Sequence, residues 1–185
     1  MSDTMTPQQR HYCMSRIRSK DTTPEKRVRK WLWKHGYRYR LCVKGVPGKP
    51  DIVMRKYRTA IFVNGCFWHG HGVQVTGYSE QVTVENSECC RIPQSNTEFW
   101  IRKIQRNQER DKQNYQILQE NGWQVIVLWE CQLKPKQLEQ TMLKVEVQLH
   151  NYYLKTFDHR SKQYIHVEED LPMAAENPID YGSER

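Results

Sequence analysis

The segment from Phe62 to His71 combines side chains that can bind a metal ion with side chains that can stack on a base. Within six residues it holds the thiol of Cys66, the imidazoles of His69 and His71, and two adjacent aromatic rings. Thiolates and imidazoles are the ligands that Zn²⁺ prefers, and a structural zinc site takes four of them with no open position. We therefore expect this segment to contribute to a structural zinc site.

The remaining zinc ligands must come from cysteines farther along the chain. Cys66 and His71 can combine with Cys131 and with either Cys89 or Cys90 to give three thiolates and one imidazole. Such a site would pin an irregular loop to the end of a later strand. The alternatives are ordinary reduced thiols and a disulfide framework. A chain that lacks a secretory signal, with histidine interleaved among its cysteines, favours metal binding.

A second metal site is predicted around Asp51, which opens a strand after Pro50. A lone carboxylate at the start of a strand is commonly only a turn residue, but Glu25 lies near the start of a basic helix and the following apolar strand ends near Asn64. Mg²⁺ takes one or two carboxylates with carbonyls and water. His69 is left over from the zinc set, and a histidine beside such a centre is suited to take a proton from water.

Apolar periodicity and turn residues predict the elements that must position these side chains. In chain order we expect a helix beginning at Pro7, a helix that starts within 21–25 and ends at Gly36, strands at 37–41, 51–54 and 59–63, an irregular segment at 64–97, a helix from a capping box at 95–98 to about Asn121, a buried strand at 123–129 and a helix after Pro135. This order predicts a mixed β-sheet with helices on both faces, with the wholly apolar strand at its centre. A bound metal would order the long irregular segment.

Charge is unevenly distributed along the 185 residues. Residues 1–58 hold 16 basic and 4 acidic side chains, whereas residues 157–185 hold 3 basic and 7 acidic ones. A polyanion is the expected partner of the basic third, and a merely soluble basic surface is the alternative. No uncharged apolar run approaches the roughly 18 residues of a membrane span, and the N-terminal residues lack the apolar stretch of a signal peptide. We therefore expect a soluble intracellular protein of one domain.

Five strings of residues occur together and in order over about residues 8–150. They are GKPD at 48–51, VNGCFWHGH at 63–71, TEFW at 97–100, NxxRD at 107–111, and the segment from Gly122-Trp123 to Trp129-Glu130-Cys131. Together they resemble the very short patch repair mismatch endonucleases. The resemblance implies an α/β, restriction-endonuclease-like fold with a structural Zn²⁺. It also implies an enzyme that uses Mg²⁺ to nick DNA 5′ to the thymine of a T:G mismatch left by deaminated 5-methylcytosine.

The resemblance also implies roles for individual residues. Asp51 and the backbone carbonyl of Val63 are the expected Mg²⁺ ligands, His69 is the expected general base, and Glu25 is the acidic residue expected to support His69. The side chains expected to wedge into DNA beside the mismatch are Phe67, Trp68 and Trp100 from one groove and Met14 from the other. Cys66, His71 and Cys131 match three zinc ligands.

Two departures from the family pattern concern the metal sites. Val73 stands where the family has a cysteine two residues after His71, so Cys89 or Cys90 is expected to supply that ligand. Some relatives have a histidine where this chain has Asn64.

The implied organisation is a DNA-binding helix or arm at 1–20, an endonuclease domain at 21–156 and a flexible acidic tail at 157–185. The expected partner is double-stranded DNA with a T:G mismatch, bound by a monomer in the bacterial cytoplasm, at the nucleoid during repair. The alternatives are a zinc-stabilised DNA-binding protein without nuclease activity and a nuclease that acts on matched DNA.

Overall fold

The structure, a computed structural model, describes residues 6–16, 20–76, 83–85 and 87–169. Its helices are α1 (Pro7–Ser15), α2 (Thr23–Lys34), α3 (Thr97–Glu120) and α4 (Pro135–Glu169). Its strands are β1 (Ile52–Met54), β2 (Thr59–Asn64), β3 (Gln74–Thr76), β4 (Thr83–Glu85) and β5 (Gln124–Trp129). Single turns of 3-10 helix follow β1 and β5, at Arg55–Tyr57 and Glu130–Leu133.

The main sheet has three strands in the order β1-β2-β5 and is mixed. β1 pairs antiparallel with β2, with Ile52 opposite Ile61, and β2 pairs parallel with β5, from Thr59 opposite Gln124 to Asn64 opposite Trp129. The apolar strand β2 lies at the centre, as its sequence predicts, because it is covered on both faces. The parallel pair ends at Asn64 and Trp129, so loops after both strands emerge at one edge.

Helices cover both faces of this sheet, which confirms the predicted α/β arrangement. On one face Ile61 packs in a cluster with residues of α2 and α4, including Leu32 and Met142. On the other face Ala60 and Phe62 pack with Leu118 of α3. Successive residues of β2 thus bury opposite faces, as the two-residue period of a strand requires.

Four local predictions are wrong. Residues 37–41 form no strand, because only Arg40 pairs with a neighbouring strand, through a single antiparallel bridge to Val53. The segment 64–97 contains the antiparallel hairpin β3–β4. The predicted capping box at 95–98 is absent, because Asn96 takes the left-handed conformation at the N-cap of α3 and makes no side-chain cap. Strand β5 is half buried rather than fully buried.

The two N-terminal helices begin where their sequences predict. Thr6 and Thr22 are the N-caps of α1 and α2, and each forms a reciprocal capping box, with Gln9 and Glu25 respectively. α4 continues to Glu169, through the boundary expected at 156/157, whereas residues 170–185 lie outside the described ranges. Within those ranges, no helix has the length and apolar composition needed to cross a membrane.

Candidate active site and metal centre

The turn after β2 carries the reactive side chains and is folded by its own backbone. The N–H of His69 donates to the carbonyl of Gly65 at 3.2 Å, and the N–H of His71 donates to the carbonyl of Cys66 at 2.9 Å. Gly70 has a φ of +63°, and a Cβ there would lie 2.5 Å from Cγ2 of Ile104 in α3. Glycine is required at this position because helix and turn approach so closely.

Helix α3 holds this turn through one polar face. Asn107 Nδ2 donates to the carbonyl of Trp68 at 2.8 Å, and Gln108 Nε2 donates to the carbonyl of Gly70 at 3.1 Å. One helical turn later, Asp111 Oδ2 contacts Nδ1 of His69. Because these residues recur every three to four positions, they share one side of the helix.

The His69–Asp111 pair has the arrangement of a histidine base with its orienting carboxylate. A carboxylate at Nδ1 holds the proton on that nitrogen and leaves Nε2 as the acceptor. The side chain of His69 is 25% exposed, whereas that of Asp111 is 15% exposed. Sequence reasoning noted Asp111 only as part of a motif and gave it no role, although its spacing from Asn107 along one helix face is the signal that could have found it.

Asp51 and Val63 lie together at the start of β1 and near the end of β2. The N–H of Val63 donates to Oδ2 of Asp51 at 2.7 Å. Burial raises the pKa of Asp51, and the Glu25 carboxylate raises it further, while the Val63 N–H and Arg29 act in the opposite direction. The half-buried carboxylate of Asp51, next to the backbone of Val63, offers oxygen donors of the kind that a hard divalent cation takes, and a bound cation would offset the unfavourable effects of burial and of Glu25.

Glu25 lines the same cleft as Asp51 and His69, but its carboxylate serves the start of α2. One oxygen accepts hydrogen bonds from Thr22, and the other accepts from the Asp21 N–H at 3.0 Å and from Arg29 at 2.6 Å. Nδ1 of His69 is contacted by Asp111, so the carboxylate that supports His69 in this structure is Asp111 and not the expected Glu25.

Four side chains form a compact cluster next to this cleft: Cys66, His71, Cys89 and Cys131, whose ligand atoms all lie within 4.8 Å of one another. Nδ1 of His71 lies 3.1 Å, 3.4 Å and 3.8 Å from the sulfurs of Cys89, Cys131 and Cys66. Zinc–ligand bonds of about 2.0–2.3 Å give a tetrahedron with edges of about 3.6 Å. The donors present therefore fit a tetrahedral metal ion.

The structure brings Cys89, and not Cys90, into this cluster. Cys90 is 1% exposed, and its sulfur lies 3.9 Å from the carbonyl of Phe67. Burial raises the pKa of Cys66 to about 12 and also raises that of Cys131. At Cys89 burial is outweighed by hydrogen bonds with Ser87 and the other thiols, which lower its pKa. A bound cation would deprotonate such thiols, since thiolate is the ligand form.

The cluster fixes the turn that carries His69. Cys66 and His71 flank His69 in sequence, so a metal that holds the first two also holds the third. The ring of His71 stacks on the ring of Trp129, with centroids 4.2 Å apart. The backbone carbonyl of His71 accepts a hydrogen bond from the Ser87 hydroxyl. Cys131 follows β5 by two residues, which ties the turn to the second strand of the parallel pair.

Aromatic rings gather beside the same turn. Phe67 lies 5.2 Å from Trp68 and 5.0 Å from Trp100 between ring centroids, so the structure brings together the three predicted wedge residues. Phe99 packs on Trp100 and is 57% exposed, and the Lys103 ammonium lies 5.3 Å from the Trp68 ring. Phe67, Trp68 and Trp100 themselves are half-buried. Aromatic rings with a cation over them are suited to stacking against nucleobases.

Met14 lies apart from this group, on α1. Its side chain is 41% exposed, and every described side chain from residue 6 to residue 16 is exposed. A helix that buries none of these side chains has a surface available for an external partner.

Comparison with known proteins agrees with this geometry. The family model described as DNA mismatch endonuclease Vsr matches residues 2–75. The type II nicking enzyme V.NmeAIP of Neisseria meningitidis is 46% identical over 136 residues, which cover 74% of this chain and 87% of that protein. V.XorIIP of Xanthomonas oryzae is 41% identical over 72% of this chain and 88% of that protein. The DNA mismatch endonuclease Vsr of Escherichia coli is 36% identical over 74% and 79%, respectively.

Each of these relatives is matched over more than three quarters of its length, and the family model spans Asp51, Cys66, His69 and His71. The chain belongs to the Vsr family of DNA mismatch endonucleases, and it is an endodeoxyribonuclease.

Proposed function

We propose that this endonuclease depends on Mg²⁺ and nicks the strand that carries the thymine of a T:G mismatch, on the 5′ side of that thymine. This is the reaction of very short patch repair, which corrects deaminated 5-methylcytosine. The observation that supports it best is a single cleft of about 480 Å³ lined by Asp51, Val63, Glu25 and His69, which joins a cation site to a base.

The residues of the cleft divide the work of phosphodiester hydrolysis. Asp51 and the backbone carbonyl of Val63 would hold the cation, and Glu25 adds a second carboxylate to the same cleft. When bound, Mg²⁺ would neutralise charge on the scissile phosphate and lower the pKa of a bound water. His69, oriented by Asp111, accepts the proton of the attacking water at Nε2.

Mismatch preference is proposed to come from the aromatic group. Phe67, Trp68 and Trp100 would wedge between base pairs from one groove and Met14 from the other. Unstacking a base step costs a few kcal/mol and costs less at a mismatch, so the wedge would favour mispaired DNA. The cluster of Cys66, His71, Cys89 and Cys131 is proposed to bind one structural Zn²⁺.

One chain supplies every group of this proposed site, which supports action as a monomer on double-stranded DNA. A nuclease that acts on matched DNA is the second candidate, because several relatives are named type II nicking enzymes. A DNA-binding protein without nuclease activity is disfavoured by the family assignment.

Cleavage of defined duplexes tests the proposal. The wild-type chain and Asp51→Ala are incubated with labelled duplexes that are matched or carry one T:G pair, with and without Mg²⁺. We expect a nick only in the thymine strand of the mismatched duplex, only with Mg²⁺, and none with Asp51→Ala. Equal cutting of the matched duplex would support the second candidate, and cleavage without Mg²⁺ would remove the metal requirement.

A further inference from the structure

A cavity of about 610 Å³ adjoins the cleft, and Asn64 and His69 line both. It also reaches Trp129, so it opens where the parallel strands β2 and β5 end. Ligands of open α/β sheets bind at the carboxyl ends of the strands. The cavity therefore lies where the substrate of this site would continue beyond the base.

The hydroxyl of Tyr115, on α3, is held in this cavity. Asn64 Nδ2 donates to it at 3.0 Å, and Asn64 is itself only 5% exposed at the end of the central strand. The Tyr115 ring packs on Phe62 with centroids 4.8 Å apart. Strand and helix thus fix both the ring and the hydroxyl.

The hydrogen of this hydroxyl is available to an outside acceptor. The oxygen accepts from Asn64, and no acceptor for its own hydrogen is found among the described residues. Burial, together with the carboxylates of Asp111 and Asp51, raises the pKa of Tyr115 to about 12, against the opposite effect of the Asn64 hydrogen bond. Tyr115 is therefore protonated at neutral pH and acts as a donor.

A phosphate oxygen of DNA is an acceptor that can approach this hydroxyl from outside the protein. Lys112 and His69 line the cavity together with Asp111, and the Arg110 guanidinium lowers the pKa of Tyr115, against the effect of the two carboxylates. A DNA strand whose scissile phosphate faces His69 carries one phosphate on either side of it, each displaced by about 3.4 Å along the helix axis. Hydrogen bonds from a neutral donor to a charged oxygen are the stronger kind.

We propose that the Tyr115 hydroxyl donates a hydrogen bond to a non-bridging phosphate oxygen of the DNA strand at or next to the cleavage point, and that Asn64 is the positioning residue that holds it. The inference rests on the proposed function, because it places the scissile phosphate at His69. It adds Tyr115 to the groups that contact substrate.

Tyr115→Phe tests the contact, because the ring that packs on Phe62 stays. We expect the single-turnover rate constant for the T:G duplex to fall about 10- to 100-fold, while the chain stays folded with a slightly lower unfolding temperature, because the Asn64 amide loses its acceptor. Tyr152→Phe is the matched control: it also removes one hydroxyl, which donates to the Gly122 carbonyl at 2.9 Å away from the cavity, and should cleave at the wild-type rate. A Tyr115→Phe rate within twofold of wild type overturns the proposal.

A scan of neutral phosphates identifies the partner atom. Methylphosphonate replaces one phosphate at a time around the cleavage point, and the Kd of each duplex is measured without added magnesium. Tyr115→Phe should weaken binding of the unmodified duplex. At one position of the scan the methylphosphonate has already replaced the accepting oxygen's phosphate, and there Tyr115→Phe should cause no further loss of affinity. An equal Tyr115→Phe effect at every position contradicts a phosphate contact and indicates a structural role.

A double-mutant cycle tests the role of Asn64. Asn64→Ala should slow cleavage in the wild-type background and have little further effect in Tyr115→Phe, because the hydroxyl that it positions is gone. Additive losses would overturn the positioning role. If the wild-type chain cut neither duplex, the proposed function would fail, while the binding scan would still test the Tyr115 contact.

Discussion

At the scale of single residues, the orientation of His69 depends on the carboxylate of Asp111. Asp111→Asn keeps the size of the side chain and removes its charge, so the histidine loses the partner that fixes its tautomer. We expect the single-turnover cleavage rate to fall about 10²- to 10⁴-fold, the range of general acid–base catalysis, with the Kd for DNA nearly unchanged.

Glu109→Gln provides the matched control for that variant. Glu109 is exposed and lies two residues away on the same helix, so its substitution makes the same chemical change away from the base. The rate of this variant should equal that of wild type. A large loss of DNA affinity in Asp111→Asn, with cleavage of the bound complex unaffected, would contradict an orienting role.

At the scale of elements, the thiol cluster joins the turn after β2, the segment around residue 89 and the end of β5. Cys89→Ser removes one of four donors, whereas Cys90→Ser changes a buried thiol outside the cluster. Elemental analysis should give about one equivalent of zinc for wild type and Cys90→Ser and much less for Cys89→Ser. Loss of zinc from Cys90→Ser alone would assign the fourth ligand to Cys90.

Removal of a zinc ion from the cluster of Cys66, His71, Cys89 and Cys131 should disturb the turn that carries His69. A chelator is expected to lower the unfolding temperature of the wild-type chain, because binding energy of a structural metal is folding energy. Cys89→Ser, already deficient in metal, should show little change with the chelator. A metal-free chain that unfolds at the wild-type temperature would contradict a structural role.

Helix α2 offers a test of local stability that is coupled to the site. Thr22→Ala removes the N-cap hydroxyl, which donates to Glu25 at 2.8 Å, and should lower the free energy of unfolding by about 1 kcal/mol in urea denaturation. Thr6→Ala removes the equivalent cap of α1, whose described side chains are all exposed, and should leave global unfolding unchanged. An equal loss in both variants would show that α1 packs on the core.

At the scale of the whole molecule, residues 1–20 carry positive charge on a segment whose described side chains are all exposed. A chain without residues 1–20 lacks four basic side chains and none of the buried ones described. It should unfold at the wild-type temperature and bind DNA more weakly. In a plot of log Kd against log salt concentration, the slope should become shallower. The decrease in slope should be up to about 0.9 for each phosphate that residues 1–20 neutralise in the full chain. An unchanged salt dependence would place the DNA-binding surface elsewhere.

Regular elements could be predicted from the sequence, because their signals are local. The capping residues of α1 and α2 and the apolar run of β2 depend on neighbours a few positions away, and all three elements form as predicted. The alternation at 37–41 is equally local, but only Arg40 finds a partner strand. Pairing is a property of the assembled sheet rather than of the segment.

The sites could be predicted only in part, because their geometry is long-range. The residue types around 66–71 indicated a metal cluster, yet neighbouring cysteines cannot be separated by spacing, and only the fold brings Cys89 to His71. The partner of His69 lies 42 positions away on α3, and that of Asn64 lies 51 positions away. Helical spacing can place Asp111 on one face of α3 with Asn107, but it does not show that this face meets His69 or Asn64.

These separations also fix when the centre can exist during synthesis. A ribosome that has added residue 96 has already made Asp51, Val63 and His69, but not the helix that orients the imidazole or the thiol that closes the cluster. Asp111 and Cys131 come later, and β5 must then pair with a strand made 65 residues before it, since Thr59 lies opposite Gln124. A nascent chain therefore carries part of the proposed site without the residues that complete it, and we expect cleavage only after nearly the whole domain has left the exit tunnel.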